Sequence, residues 1–297
     1  IRIIMSLYFQ KGAARMKGGA ADFPQNEVSD TMRDLITRMH DWMTKYIKSF
    51  YTDDAEVMQG IRIKEIHTGY VTANAVALAK NLHLSPHDAA LAEIIGLFHD
   101  VGRFRQYTLY QTFNDAMSED HAALGLKVLS ELPFMKELSP IDIECIHFAI
   151  SRHNKMSIGR APSALALTLA KLIRDADKLD IYRVLEPYLS SEGAKKAPKF
   201  IKAAASDLVS EKILTCFLEG KQADYHWIKT HGDRKAVRLL WVYDISYAYT
   251  LREIMKRGYV DKIISFLPKQ EGLDRGIAKL RTYIEIKCRS EDITDMV

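Results

Sequence analysis

Four histidines and three aspartates in this chain fall at positions where they could hold a metal ion or work on a phosphate. The densest stretch is Gly96-Leu97-Phe98-His99-Asp100-Val101-Gly102-Arg103-Phe104. An imidazole and a carboxylate stand next to each other at the end of an apolar helical run, and Arg103 and Arg105 follow at once. The alternative for His99 alone is a histidine at a helix C-terminus, where the dipole favours it. The other candidates stand on apolar helical faces, where an ionisable group is costly unless it is bonded or metal-bound. His67 falls in the series Ile63, His67, Val71, Asn74, Leu78. His121 falls with Leu124, Gly125 and Val128, and His153 follows Ile143, Ile146 and Ile150. Asp177 lies in the series Ile173, Asp177, Asp180, Val184, with Asp180 beside it on the inner side. Each has a bland explanation, a core histidine on a backbone carbonyl or a buried ion pair. Taken together, the set predicts one or two divalent metal ions. Nitrogen and oxygen donors without thiolate suit Mn, Fe, Co, Ni or Zn, with Mg also admissible, and argue against a cysteine-type structural zinc site.

The remaining polar residues read differently. Asp175 shares a face with Lys171, Lys178 and Tyr182 and is expected to be solvated. Lys178 is on the wrong face to pair with Asp177. His147 lies with Pro140, Glu144 and Ser151 on a wetter face. His40, His83, His87, His226 and His231 have polar neighbours and are expected to be ordinary exposed histidines.

The elements that must carry these residues are helices. Ser29-Asp30 can cap a helix from Thr31 to about Phe50, and others are expected over Ile61 to Leu82, from Ser85-Pro86 to His99-Asp100, and from Ser118 to Leu132. Further helices are expected from Ser139-Pro140 to Asn154 and from Pro162 to Tyr188. Ser190 to Lys199 reads as a linker, followed by helices over Ala204 to Leu218, Arg234 to Arg257, Val260 to Leu267 and Gly276 to Lys287. Tyr107 to Met117 has no period and reads as a loop. No run alternates as a strand does, so the expected class is all-α.

Bulk properties narrow the class. The 297 residues are 47% apolar and 27% charged, as in an ordinary globular protein. A net charge of +4 makes no case for nucleic acid or an anionic membrane. Cys145, Cys216 and Cys288 are too few and too far apart for a disulfide framework, which favours a reducing, cytoplasmic setting. No apolar run approaches the ~20 residues of a membrane span. Leu7-Tyr8-Phe9-Gln10 looks like part of a tag-protease site, so residues 1–25 are expected to be a tag or flexible tail. Residues 26–190 are expected to form a metal-binding helical core, and residues 191–297 a helical extension packing on it.

The ordered set His67, His99-Asp100, Asp177, the last in an Ala-Asp-Lys-Leu context, resembles the HD-domain superfamily of metal-dependent phosphohydrolases over about residues 61 to 185. Members with two metals add two histidines in between, and His121 and His153 look like these. The HD-GYP phosphodiesterases carry a lysine where this chain has Arg103 and a GYP motif that this chain lacks, which speaks against cyclic-di-GMP cleavage. The nearer likeness is to stand-alone HD hydrolases reading HD-x-Gly-Arg-Phe. The resemblance implies an HD helical bundle with added N- and C-terminal helices. It implies Asp100 as a ligand shared by two metals, with His67, His99 and Asp177 on one and His121 and His153 on the other. Arg103 and Lys155 would then contact phosphate, Asp180 would act as an acid or hold a water, and Gln106, Asp115 and Ser118 would line the site. The implied activity is phosphomonoester or phosphodiester hydrolysis of a small phosphorylated molecule, with a nucleotide expected. The alternatives are a di-iron HD-fold oxygenase and a catalytically degenerate nucleotide-binding regulatory module. Trp227, Trp241, Tyr243, Tyr247 and Tyr249 read as helix packing ahead of base stacking, and those helices could cap the site or form a homodimer surface.

Overall fold

The computed structural model describes residues 29–198 and 206–292; the expected tail over residues 1–25 lies outside them. The described residues are helical with no strand, so the fold is all-α. They divide into two units, residues 29–177 and residues 178–292, with the division inside one helix.

In the first unit the helices start where short polar side chains can cap them. Helix α1 (Asp30–Lys48) begins at Ser29, whose hydroxyl accepts from the Met32 N–H at 3.2 Å. Helix α2 (Ala55–Asn81) begins earlier than its periodicity indicates, because Asp54 accepts from the Glu56 and Val57 N–H groups. The acidic break at Asp53-Asp54 is therefore the cap of the longest helix. Helix α3 (Pro86–Phe98) starts on Ser85 with proline at its first position. Helices α5 (His121–Ser130) and α6 (Pro140–Arg152) are capped by Asp120 and Ser139. Helix α7 (Ala164–Leu185) carries the chain past the division.

Two expectations need correction here. The helix expected to end at His99-Asp100 is followed at once by a further helix, α4 (Val101–Tyr110), which contains Gly102. The glycine is there for contact, since a Cβ on Gly102 would lie 2.3 Å from the His121 carbonyl oxygen and 2.7 Å from the Gly125 nitrogen. The expected loop over Tyr107 to Met117 is helical up to Tyr110, where Gln111 in the left-handed region (φ 50°) ends α4. Tyr107 stacks on Phe113 with centroids 4.4 Å apart, a tertiary gain that overrides the weak helix propensity of Tyr-Thr-Leu-Tyr.

The second unit contains α8 (Ser191–Lys195), α9 (Glu211–Glu219), α10 (His231–Leu240), α11 (Ala248–Lys256), α12 (Tyr259–Ser265) and α13 (Leu273–Arg289). Part of the expected linker, Ser190 to Lys199, is the short helix α8, and residues 199–205 lie outside the described chain. The single helix expected over Arg234 to Arg257 is two helices joined by a 3-10 turn at Trp241–Asp244. The restart of α11 is capped from a distance: the Asp292 carboxylate accepts from the Ala248 and Tyr249 N–H groups. Phe217, Leu240, Leu251, Ile263 and Leu280 make this unit's core, with Trp241 buried in it and Trp227 and Tyr243 packed against it, so those aromatics are packing residues. Cys145, Cys216 and Cys288 are all free thiols. Among the described residues no helix is long and apolar enough to cross a membrane.

Candidate metal centre

Helix α2 turns His67 into the core of the first unit. His99 caps the C-terminus of α3 and Asp100 caps the N-terminus of α4, so the two adjacent side chains sit at a helix–helix junction. His121 is the first residue of α5, which the Gly102 contact brings against α4. His153 caps the C-terminus of α6, whose last carbonyls accept from Arg174 Nη1 of α7, 3.0 Å from the Arg152 oxygen. Asn74 of α2 donates to the Ala176 carbonyl at 3.2 Å and ties α2 to α7 beside Asp177. Six helices thus deliver His67, His99, Asp100, His121, His153 and Asp177 to one place.

The geometry there is paired. His67 and His99 face each other with Nε2 atoms 3.4 Å apart, and His121 and His153 with Nε2 atoms 2.9 Å apart. The Asp100 carboxylate lies between the pairs. Its Oδ2 is 3.5 Å from the Nε2 atoms of both His67 and His99, and its Oδ1 is 3.3 Å from His121 and 3.6 Å from His153. Asp177 Oδ1 is 3.1 Å from His67 and 3.9 Å from His99.

A divalent ion fits this donor set for a specific reason. The Nδ1 atoms of His99 and His153 lie 2.8 and 2.7 Å from the carbonyl oxygens of Gly96 and Ile150, and that of His121 lies 2.7 Å from an Asp115 carboxylate oxygen. Those oxygens only accept, so each Nδ1 carries the proton and each neutral ring turns a lone pair outward at Nε2. Burial pushes His99 down to about 4, and burial followed by the Arg103 charge also pushes His121 down, so imidazolium does not relieve the contact. Facing lone pairs at 2.9 Å repel unless a cation sits between them. Two imidazole nitrogens each ~2.1 Å from one ion, at ~90–110° to each other, stand about 3.0–3.4 Å apart, which is the spacing found here.

The carboxylates are held ionised against their burial. Burial raises Asp100, but the Lys64 ammonium together with His99, His121 and His153 outweighs it, and the carboxyl stays well below the usual range. Asp177 is likewise held low against burial, chiefly by His67. Asp115 is held low by His121 and Arg103.

The other expected site residues are placed as follows. Arg103 points inward, but its Nη1 is shared among Gln106 Oε1, the Phe113 carbonyl and Asp115 Oδ1 at 2.7–2.8 Å. Gln106 was expected to line the substrate; it is fully buried, and its Nε2 donates to Asp115, Ser118 and the Glu119 carbonyl. Ser118 is bound into the same loop. These three residues build the segment that presents Asp115 to His121. Lys155 pairs with Asp120 and not with the centre. Asp180 belongs to the second unit, where it is buried and Arg183 forks onto it at 2.6 and 2.9 Å. Asp115 and Asp120 also lie close to His121, but Arg103, Lys155 and Asn154 already meet their charges.

Two readings of neighbouring residues are corrected. Asp175 is buried, because residues 172–176 of α7 are buried on every side and leave no wet face there. His40 is buried with Nε2 2.8 Å from Glu93, whereas His87 is exposed as expected and pairs with Asp142. Lys178, as expected, does not serve Asp177; its partner is Asp244. One residue was missed altogether: Lys64, whose Nζ lies 2.6 Å from Asp100 Oδ2. It stands three residues before His67, hence on the same face of α2, and that spacing was the available signal.

No curated protein and no solved structure matches the chain. The HD domain family model matches residues 65–182, a segment that contains His67, His99, Asp100, His121, His153 and Asp177. HD domains bind divalent metals and in general are metal-dependent phosphohydrolases. That match falls on the segment whose helices assemble the paired imidazoles and the shared carboxylate, so residues 65–182 of the chain are similar to an HD domain.

Proposed function

We propose that this protein is a metal-dependent phosphohydrolase acting on esters of small phosphorylated molecules such as nucleotides. The observation that carries the reading is Asp100, whose two oxygens each face a separate pair of imidazole nitrogens at 3.3–3.6 Å. That is the arrangement a carboxylate shared by two ions requires. His67, His99 and Asp177 would hold one ion and His121 and His153 the other. Ions so held supply Lewis acidity toward phosphoryl oxygens and lower the pKa of water to near neutrality.

The chain's own residues do the rest. The Gly96 and Ile150 carbonyls lock the tautomers of His99 and His153, and Asp115 does the same for His121, so these three Nε2 atoms present their lone pairs to the centre. Arg103, Gln106 and Ser118 hold the Asp115 segment in place. Asp177 is 16% exposed whereas the imidazoles are almost wholly buried, so solvent and substrate reach the centre from the Asp177 side. In the overall reaction a water oxygen bonds to phosphorus, the ester oxygen leaves, and one water proton ends on the departing alcohol.

The test combines metal analysis of the purified protein with hydrolysis of p-nitrophenyl phosphate, bis-p-nitrophenyl phosphate and nucleotides, supplemented with Mn, Co, Ni or Mg. Bound metal and release of p-nitrophenol or phosphate are expected. An Asp100→Ala variant should lose both; full activity in that variant would place the chemistry elsewhere.

A further inference from the structure

Among the described residues the cation nearest the shared carboxylate is Lys64, with Nζ 2.6 Å from Asp100 Oδ2. Its side chain is 15% exposed, much like Asp177, so it stands on the rim where the buried centre opens. Arg103 lies on the other oxygen of Asp100, Nε to Oδ1 at 3.5 Å, but its Nη1 is taken up by the loop that carries Asp115. The Phe113 ring braces both cations, 5.3 Å from Lys64 Nζ and 5.7 Å from Arg103 Cζ. Lys64 therefore has a fixed position as well as a charge. An ammonium has three donors, so one N–H can stay on Asp100 while the others face outward.

The charges around that point are unequal. Three carboxylates, Asp100, Asp115 and Asp177, stand with two cations, Lys64 and Arg103, and the nearby Asp120–Lys155 pair cancels itself. These groups of the first unit together leave one negative charge. Two divalent ions would turn this into an excess of three positive charges. A phosphate diester brings a single negative charge to that excess and a monoester dianion brings two. Uncompensated charge in a buried site is costly, so the dianion is the better match.

We propose that Lys64 binds a non-bridging oxygen of the substrate phosphate and that the substrate is a phosphate monoester. The second half rests on the hydrolase reading above; the phosphate contact does not, because it can be read without turnover.

The experiment uses the full chain loaded with Mn, as wild type, Lys64→Met and Lys64→Arg. Three quantities are measured: metal content, binding of inorganic phosphate by calorimetry, and kcat/KM on p-nitrophenyl phosphate and bis-p-nitrophenyl phosphate. Lys64→Met should keep its metal, since it removes a positive charge from beside the ligands. Its phosphate binding should weaken about 10–100-fold, the loss expected for one hydrogen bond to a charged group. Its kcat/KM should fall by a similar factor on the monoester and by less than about 3-fold on the diester. Lys64→Arg should recover most of the phosphate binding. Unchanged phosphate binding in Lys64→Met overturns the contact. Loss of metal in step with activity overturns it too, by making Lys64 a prop for Asp100. Equal losses on the two esters, or a wild type that prefers the diester, overturn the monoester assignment. A wild type that cleaves neither ester with any metal overturns the hydrolase reading and the monoester with it, and the calorimetry then decides the phosphate contact alone.

Discussion

Gly102→Ala is a one-carbon change whose effect can be worked out from the α4–α5 seam. The added Cβ would sit 2.3 Å from the His121 carbonyl oxygen, 2.7 Å from the Gly125 nitrogen and 2.9 Å from Leu124 Cβ. Two of the three obstacles are backbone, so no side chain can rotate away. Restoring an ordinary contact of ~3.2 Å or more needs roughly 1 Å of separation between the helices, and overpacking of this kind costs about 1–3 kcal/mol. Alanine's better helix propensity returns up to ~1 kcal/mol. For a domain of this size each kcal/mol lowers Tm by about 2–4 °C. The functional consequence is larger than the stability loss, because His121 is the residue being pushed. A metal ligand displaced by ~1 Å is well beyond the ~0.5 Å that a working site tolerates. Gly102→Ala should therefore unfold a few degrees earlier and, where two ions are expected in the wild type, bind one, with the His67–His99 half retained. Gly125→Ala, on the facing helix, is the control: its Cβ first meets the Val101 side chain at 3.3 Å and then only atoms at 3.6 Å or more, so Tm and metal content should hardly change. Scanning calorimetry and metal titration by mass spectrometry read both quantities. If Gly102→Ala melts and loads like the wild type, or if Gly125→Ala is the worse variant, the seam does not position His121 and the reasoning fails.

Two further perturbations separate local roles. Asp115→Asn keeps the shape but loses the charge and exchanges one acceptor oxygen for a donor opposite His121 Nδ1; ion affinity at the His121–His153 half should drop about 10–100-fold with the other half spared. Calorimetric metal titration checks this, and equal weakening of both halves would count against it. His147 is pushed below its ordinary 6.5 by burial, so the unfolded chain takes up that proton first. Its contribution to stability is whole above about pH 6.5 and drains away as pH falls toward the lower folded value. Urea midpoints at pH 7.5 and 5.5 should differ less in His147→Gln than in the wild type, and an equal difference would show that His147 does not titrate in that window.

The inward direction of His67, His121, His153 and Asp177 was legible from helical periodicity, because an apolar stripe identifies the buried side of its own helix. Helix starts were legible wherever a serine or aspartate could reach the first free N–H groups, as at Ser29, Ser85 and Ser139. Helix α4 was not, because what holds Tyr107 helical is its stacking on Phe113 across a chain reversal. The break before α11 was hidden for the same kind of reason, its cap being Asp292, far along the chain. Asp175 misled because a wet-looking face on one helix says nothing of what surrounds it. Lys64 was passed over because a lysine one turn from a core histidine most often reaches solvent, and only the position of Asp100 gives it a buried partner.

The sequence by itself determined the all-helical class, the caps, and which imidazoles and carboxylates turn inward, since each depends on contacts within a few residues. The tertiary structure alone decided that His67 meets His99 and His121 meets His153, that Asp100 offers one oxygen to each pair, and that Lys64 stands on that same carboxylate. Those outcomes depend on where one helix crosses another. Crossings are set by backbone-to-backbone contacts such as the one at Gly102, which a local pattern does not record.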